Sequence, residues 1–201
     1  MLSPNYEMML HAKTLARLNG PASVYEHPPA AKTFKTAQRK EPDLAALLLH
    51  LRRAVTPLRD GWRQGPVVAG GGFTDQASVF PAPAHIQSGI ASAQKLRGAA
   101  PLHHPFWNTL LLRLLLLRLH PFQKGNGRTM RALLSYELTR HELCPPHYLP
   151  LARVFDANRP ALIQSRLDIT QAATPAQLIQ AVALALRLDA TMIPQTLRMH
   201  P

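Results

Sequence analysis

The feature that most constrains the fold is a leucine-rich run, Leu110–Leu119, in which arginine is the only other residue type. The run is shorter than the roughly 20 consecutive apolar residues that a membrane span needs. It therefore predicts a buried core helix, which the flanking pattern extends over 105–119. A glycine-rich turn at 125–127 and a second helical apolar pattern over 128–142 follow. The sequence thus predicts two packed helices joined by a tight loop.

The remaining periodicity predicts a mostly α-helical domain with one small hairpin. Two short β-prone runs, Val67–Phe73 and Val79–Phe80, enclose a polar turn, and the prolines that follow cannot donate to a strand ladder. No internal repeat or dividing linker is present, so we expect one domain over 43–195, preceded by a helix and loop over 1–42. Further apolar patterns at helical spacing cover residues 4–18, 43–55, 84–97, 150–170 and 175–190.

The composition indicates which kinds of binding partner and which cell compartment to expect. The chain carries 23 Lys+Arg against 11 Asp+Glu, a net charge of +12, which favours anionic partners such as nucleotides, nucleic acid or an acidic protein surface. The charges are dispersed, and we interpret the one local cluster, Lys32–Lys40, as a solvated loop in preference to a nucleic-acid site. We expect no membrane partner. The single cysteine, Cys144, fits a reducing cytosol. Because the N-terminus lacks a secretory pattern, we expect a cytoplasmic protein, and delivery into a host by a signal-less route stays open.

The chemistry concentrates in residues 120–131, His-Pro-Phe-Gln-Lys-Gly-Asn-Gly-Arg-Thr-Met-Arg. The two glycines let the backbone turn tightly and approach a ligand, and the turn opens a helix whose first amides attract anions. Arg128 and Arg131 share one helix face and can hold a polyphosphate. His120, across the loop, has a near-neutral reference pKa that suits it to accept a proton from an attacking hydroxyl. Each part alone is commonly structural, but their conjunction predicts a nucleotide-phosphate-binding loop.

The pattern His-Pro-Phe-x-x-Gly-Asn-Gly-Arg-x-x-Arg resembles the signature of the Fic family (Fic/Doc, or Fido, fold) at every specified position. The hairpin at 67–80 with the prolines after it resembles the flap of that family. Leu149–Arg159 resembles the segment that follows the signature helix. The resemblance implies a compact Fic/Fido-type helical domain with a small β-hairpin flap.

The resemblance also implies an activity, protein adenylylation (AMPylation), in which AMP moves from ATP to a Tyr, Thr or Ser hydroxyl of a target protein. It makes His120 the general base, and Phe122 is most simply the core anchor of the loop. The residues implied to hold the nucleotide phosphates are Gly125, Asn126, Gly127, Arg128 and Arg131. The flap implied to pair with an extended target segment comprises Val67, Val68, Ala69, Gly70, Gly71, Gly72, Phe73, Val79 and Phe80.

One departure from the family concerns the metal. Most members carry Asp or Glu just before Gly-Asn-Gly, where the acid holds a Mg²⁺ that bridges the phosphates, whereas this chain carries Lys124. A protonated lysine cannot ligate Mg²⁺ and repels it, so no protein metal ligand is predicted and Mg²⁺ binding is left open. The ammonium of Lys124 either replaces part of the charge of the metal at the phosphates, or leaves an impaired module that binds a nucleotide or a partner without transfer.

A second departure concerns regulation. Many family members carry an inhibitory helix, Ser/Thr-x-x-x-Glu-Gly/Asn, whose Glu pairs with the second signature arginine. Thr14 and Asn19 fit the ends of that pattern, but Leu18 stands where Glu is expected, so we favour a plain helix end over a degenerate inhibitory helix. A tyrosine pair of the family is likewise replaced by Ala161-Leu162. The oligomeric state is not fixed by the sequence, and a homo-oligomer is compatible with it.

Overall fold

A computed structural model describes residues 43–56, 60–69, 78–99, 105–143, 155 and 157–198. Within these residues the chain is mostly α-helical and has one small antiparallel hairpin, as the sequence predicted. In chain order the elements are α1 (Leu44–Val55), β1 (Val68–Ala69), β2 (Ser78–Val79), a 3-10 turn (Pro83–His85), α2 (Ile86–Gly98), α3 (Pro105–Leu119), α4 (Asn126–Arg140), α5 (Arg159–Gln171) and α6 (Pro175–Arg198).

The helix bounds agree with the sequence pattern in the first half of the domain and differ later. Asp43 caps α1, since its carboxylate accepts from the amide of Ala45 at 3.0 Å. The signature helix α4 begins at Asn126, two residues before the predicted start, because Gly125 serves as its cap residue. The last helix, α6, continues to Arg198 and does not end at 190 as predicted. The predicted helix over 4–18 and the segment 14–19 lie outside the described residues.

The leucine-rich helix α3 lies at the centre and packs against α2, α4 and α6. One hydrophobic cluster lies between α1, α2, α3 and α4, and it contains Leu112 and Leu116 of α3. A second cluster joins α3 and α4 to α5 and α6, and it contains Leu110. Because α3 buries opposite faces in two clusters, its sequence is apolar all round and lacks a polar stripe.

Two buried ion pairs link the helices around this centre. Arg113, one of the arginines that interrupt the leucine run, pairs with Asp189 of α6, and both side chains are buried. Between α2 and α4, Arg97 donates to Glu137 at 2.7 Å, and both side chains are almost completely buried. Buried charges persist only where they are paired, so each pair constrains the position of two helices.

One stretch among the described residues, Pro175–Ile193 of α6, is long and apolar enough to cross a membrane by length and composition alone. The same helix packs against α3 and α5, and it buries Met192 and Ile193. Core helices of packed domains share this composition, so the stretch is weak evidence for a membrane span. Large apolar side chains that stay exposed in the described part of α6 include Leu178, Ile179 and Leu184.

Candidate active site

The loop between α3 and α4 is a closed turn that needs two left-handed residues. His120, directly after α3, has φ 51°, and Gly125, directly before α4, has φ 86°. The loop is closed by Asn126, whose Oδ1 accepts from the Phe122 amide at 3.0 Å and whose Nδ2 donates to the Phe122 carbonyl at 2.7 Å. Asn126 is buried, so both atoms of its amide stabilise the loop itself.

The buried side chains of Phe122 and Arg52 support this loop from its inner side. The Phe122 ring, where the sequence predicted a core anchor, is 0% exposed and stacks on Trp62 with 5.1 Å between ring centroids. The buried guanidinium of Arg52 lies 4.6 Å from the centre of the same ring. Its Nη2 donates to the Asp60 carboxylate at 2.9 Å and to the Lys124 carbonyl at 3.4 Å. Through Arg52, helix α1 thereby holds the end of the loop at Lys124, next to Gly125.

His120 lies at the other end of the loop, half-buried under the flap. Phe80 stacks on its imidazole with 3.8 Å between ring centroids and 26° between ring planes. The pKa of His120 is lowered from 6.5 to about 4, chiefly by burial; the charges of Arg63 and Arg166 contribute to the lowering, and a hydrogen bond to the Leu117 carbonyl opposes it. The imidazole is therefore neutral near neutral pH, and the nitrogen that does not bond Leu117 can accept a proton.

The residues expected to hold phosphates line the start of α4. Gly127 and the Lys124 side chain are exposed, while Arg128 and Arg131 are half-buried. A Cβ placed on Gly127 would lie 3.7 Å from Nη1 of Arg131, so this guanidinium folds back over the first turn of its own helix. The first amides of α4, which have no intrahelical acceptor, open toward the same end. The structure thus brings an arginine, the exposed Gly127 and a helix N-terminus together.

Arg166 of α5 adds positive charge behind this region. The pKa of Arg166 is lowered from 12.5 to about 10, chiefly by burial; the charges of Arg113 and Arg131 contribute to the lowering, and Asp189 opposes it. The charge of Arg166 also acts on His120. Arg166 thus lies near two further arginines and one carboxylate, an excess of positive charge that favours anions at this end of the domain.

The flap lies over His120. In its short hairpin Val68 pairs with Val79 and Ala69 pairs with Ser78. Arg118 of α3 donates to the Val79 carbonyl at 2.9 Å, and the Val79 side chain is 62% exposed. Val67 and Phe80 are half-buried. The flap residues predicted at Gly70, Gly71, Gly72 and Phe73 lie outside the described residues.

The residues present do not fit a Mg²⁺ ion held by the protein. Lys124 occupies the position where the family carries an acid, and a lysine offers no oxygen ligand. In the part of the chain that the structure describes, no group of three or more His, Cys, Asp or Glu could hold a metal ion. Positive charge at the phosphates would therefore come from side chains of this chain.

Sequence reasoning missed three arginines that hold the loop and the flap, namely Arg52, Arg63 and Arg118. It also missed Arg166, whose charge acts on His120. Arg52 follows Leu51 on the buried face of α1, and an arginine at the edge of an apolar stripe is a signal that could have found it. Arg63 lies in a short irregular segment between α1 and β1, where no periodicity marks it. Its partners are all main-chain carbonyls, which no residue pattern reveals.

Comparison with known proteins places this geometry in a family. The model described as Fic/DOC family matches residues 43–138, which run from the cap of α1 into α4 and contain every predicted site residue. Over these residues, just under half of the chain, the sequence is similar to the Fic/DOC family. The family that the signature resembled is therefore confirmed. None of the curated proteins compared matches the chain.

Two solved Fic structures share the fold. A Fic domain containing signaling protein from Bacteroides thetaiotaomicron superposes with a TM-score of 0.62 at 18% identity, over 84% of this chain and 67% of that one. A Fic family protein from Desulfovibrio desulfuricans superposes with a TM-score of 0.60 at 18% identity, over 90% of this chain and 60% of that one. At this identity the likeness establishes the Fic fold alone, and the chain spans only part of the length of these proteins.

Proposed function

We propose that this Fic protein is a nucleotidyltransferase that moves AMP from ATP to a Tyr, Thr or Ser hydroxyl of a target protein. The hydroxyl oxygen attacks the α-phosphorus of ATP, and a new oxygen–phosphorus bond forms. The bond from that phosphorus to the bridging oxygen breaks, and pyrophosphate leaves. His120 takes the hydroxyl proton through the imidazole nitrogen that does not bond Leu117.

The observation that carries the proposal is the pairing of a neutral base with an anion site across one short loop. Burial keeps the pKa of His120 at about 4, so the base is unprotonated under ordinary conditions. The N-terminus of α4 and the guanidinium of Arg131 lie at the other end of the loop. Phosphoryl-type transfer depends chiefly on positioning and on neutralising developing charge, which this arrangement supplies.

The direct test is transfer of label from α-labelled ATP to proteins of a lysate, with a His120→Ala variant beside the wild type. We expect labelled bands from the wild type and a loss of about 10²–10⁴-fold in the variant, the usual contribution of a positioned base. Binding of ATP, measured by calorimetry, should survive in His120→Ala and weaken in Arg131→Ala. Equal labelling by wild type and His120→Ala would exclude His120 as the base.

A second candidate function is a module that binds a nucleotide or a partner without transferring anything. Lys124 favours it, because the position lacks the acid that holds Mg²⁺ in most of the family. Under this alternative the wild type binds ATP and labels no protein.

The substitution Lys124→Glu separates the two candidates, with the exposed Lys95→Glu of α2 as a control that changes the net charge equally. If the wild type is inert and Lys124→Glu creates Mg²⁺-dependent labelling, the binding module is the correct function. Robust labelling by the wild type without added Mg²⁺ would establish the transferase and a charge role for Lys124. Lys95→Glu should match the wild type in both cases.

A further inference from the structure

Arg63 connects two parts of the site that are distant in sequence. Its side chain is buried, and Nε donates to the His120 carbonyl at 2.7 Å while Nη1 donates to the Gly65 carbonyl at 2.9 Å. Nη2 donates to the Pro81 carbonyl and, at 3.4 Å, to the Leu119 carbonyl. One guanidinium thus binds four main-chain carbonyls.

The four acceptors fall into two groups. Leu119 and His120 end the central helix α3, where carbonyls have no partner inside the helix. Gly65 precedes β1, and Pro81 follows β2, so the other two acceptors flank the flap on both sides. The amide of Arg63 itself donates to the Pro121 carbonyl at 2.9 Å, which holds the segment against the loop.

This bonding also explains how His120 keeps its backbone conformation. A left-handed φ, here 51°, is strained for a non-glycine residue and persists only where the surroundings hold it. The carbonyl of His120 is fixed by Arg63 Nε, and the next carbonyl, Pro121, is fixed by the Arg63 amide. The direction of the imidazole therefore depends on Arg63 through two hydrogen bonds.

We propose that Arg63 is a positioning residue that couples the flap to the base, so that the segment that receives the target and the imidazole of His120 move as one unit. This role rests on the function proposed above, in which His120 takes a proton from a hydroxyl presented under the flap. The planar fork of an arginine can bind several carbonyls at once, whereas the single ammonium of a lysine cannot reach them all.

The charge of Arg63 has a separate consequence for His120. Within the described residues the hydrogen bonds of the Arg63 side chain all go to carbonyls, so its positive charge acts on the imidazole with no carboxylate among its acceptors. After burial, which is the largest cause, that charge helps to lower the pKa of His120 to about 4. The effects of the hydrogen bonds and of the charge of Arg63 can therefore be separated. Arg63→Lys keeps the positive charge and loses the planar guanidinium that binds four carbonyls, whereas Arg63→Met loses both.

The experiment measures both variants in the full chain by NMR, with the His120 resonance assigned through a His120→Gln variant. We expect the His120 pKa to rise in both variants as the flap loosens over the imidazole, and to rise further in Arg63→Met, which also loses the charge, although the remaining burial keeps it below 6.5. Amide exchange at 68–69 and 78–79 should become faster in both variants. Arg52→Met is the matched control, because Arg52 is equally buried and holds the loop without bonding the flap or His120.

The transfer assay adds a readout that simple loss of stability would not give. In Arg63→Lys we expect kcat to fall about 100-fold, the usual cost of misplacing a reacting group by about 1 Å, and KM for the target to rise.

Unchanged exchange at the strands in Arg63→Lys overturns the proposal, as does an Arg52→Met variant that shifts the His120 pKa equally. If Arg63→Met does not fold, strand exchange in Arg63→Lys decides alone. If the wild type transfers nothing while strand exchange and the His120 pKa respond as described, the coupling stands and the proposed function fails.

Discussion

The ring of Phe80 stacks on the imidazole of His120, with 3.8 Å between the two ring centroids. Phe80 follows β2 directly, so the flap lays an aromatic ring over the proposed base. An apolar surface on the imidazole excludes water and so disfavours its charged form. The position of the flap and the proton affinity of His120 are therefore linked.

Removing that ring should change the titration of the base. In Phe80→Ala we expect the His120 pKa to rise from about 4 toward 6.5, because burial is the largest cause of its depression. Val79→Ala, a truncation at the neighbouring 62% exposed side chain, should leave the pKa unchanged. NMR titration measures the His120 pKa in both variants. An unchanged pKa in Phe80→Ala would show that stacking of Phe80 does not desolvate the imidazole.

The pH profile of transfer should report the same group. A general base acts in its neutral form, so kcat/KM should rise with pH through about 4 and be flat above about pH 5. A histidine at its ordinary pKa would instead give a rising limb near 6.5. Initial rates at low target concentration between about pH 4 and 8 distinguish the two, and a limb near 6.5 would contradict the burial described here.

Stability should depend on pH through the same imidazole. The unfolded chain takes up the His120 proton near 6.5, whereas the folded chain does so only near about 4. The contribution of His120 to the free energy of unfolding is thus fully present above 6.5 and is lost as the pH falls to about 4. Urea unfolding at several pH values measures this, and the decline should be shallower in His120→Gln. If the free energy of unfolding changes equally with pH in the wild type and in His120→Gln, the titration of His120 does not contribute to the pH dependence of stability.

Gly125→Ala should destabilise the fold. The residue has φ 86°, and a Cβ there would meet Cγ2 of Thr56 at 2.9 Å. The left-handed backbone alone costs a non-glycine residue about 1–2 kcal/mol, and the contact with Thr56 adds to it. Gly98→Ala at the end of α2 is the control, because nothing lies within 4 Å of a Cβ placed there. Thermal unfolding should show a clear loss for the first variant and little change for the second.

Asp189→Asn should be far more costly than Asp168→Asn. Asp189 is buried against Arg113, and losing one partner of a buried ion pair leaves the other charge uncompensated, at about 3–5 kcal/mol. Asp168 is exposed and accepts a hydrogen bond from Gln164 at 2.8 Å, so its substitution should change stability by less than about 0.5 kcal/mol. Urea unfolding of both variants compares the two positions, and equal losses would show that burial does not set the cost.

Much of the fold could be predicted because periodicity reports burial. Helix α1 is apolar on the one face that it buries, whereas α3 buries opposite faces and is apolar all round. The bounds of α3 agree with those predicted from the pattern. The start of α4 was missed by two residues, because the left-handed Gly125 acts as its cap and carries no apolar signal. The end of α6 was missed because the pattern over 175–190 gave no sign that the helix continues.

The candidate site was predictable where the chemistry is local in sequence. His120 and the glycines stand within one short segment, so their types and spacing were enough to bring them together. Arg63 and Arg166 come from other segments, and their approach to His120 depends on packing that no spacing reveals. The role of Asn126 at the phosphates stays a prediction, and no spacing revealed that its buried side-chain amide bonds the main chain of Phe122.

The two hydrogen bonds between Asn126 and Phe122 join residues of the loop to each other. The conformational entropy of ordering this turn is therefore lost when the chain folds, and a nucleotide that arrives later does not have to lose it again. Association should then be limited by diffusion and by the long-range attraction of the net charge of +12, with no slow rearrangement of the loop and a strong dependence on ionic strength.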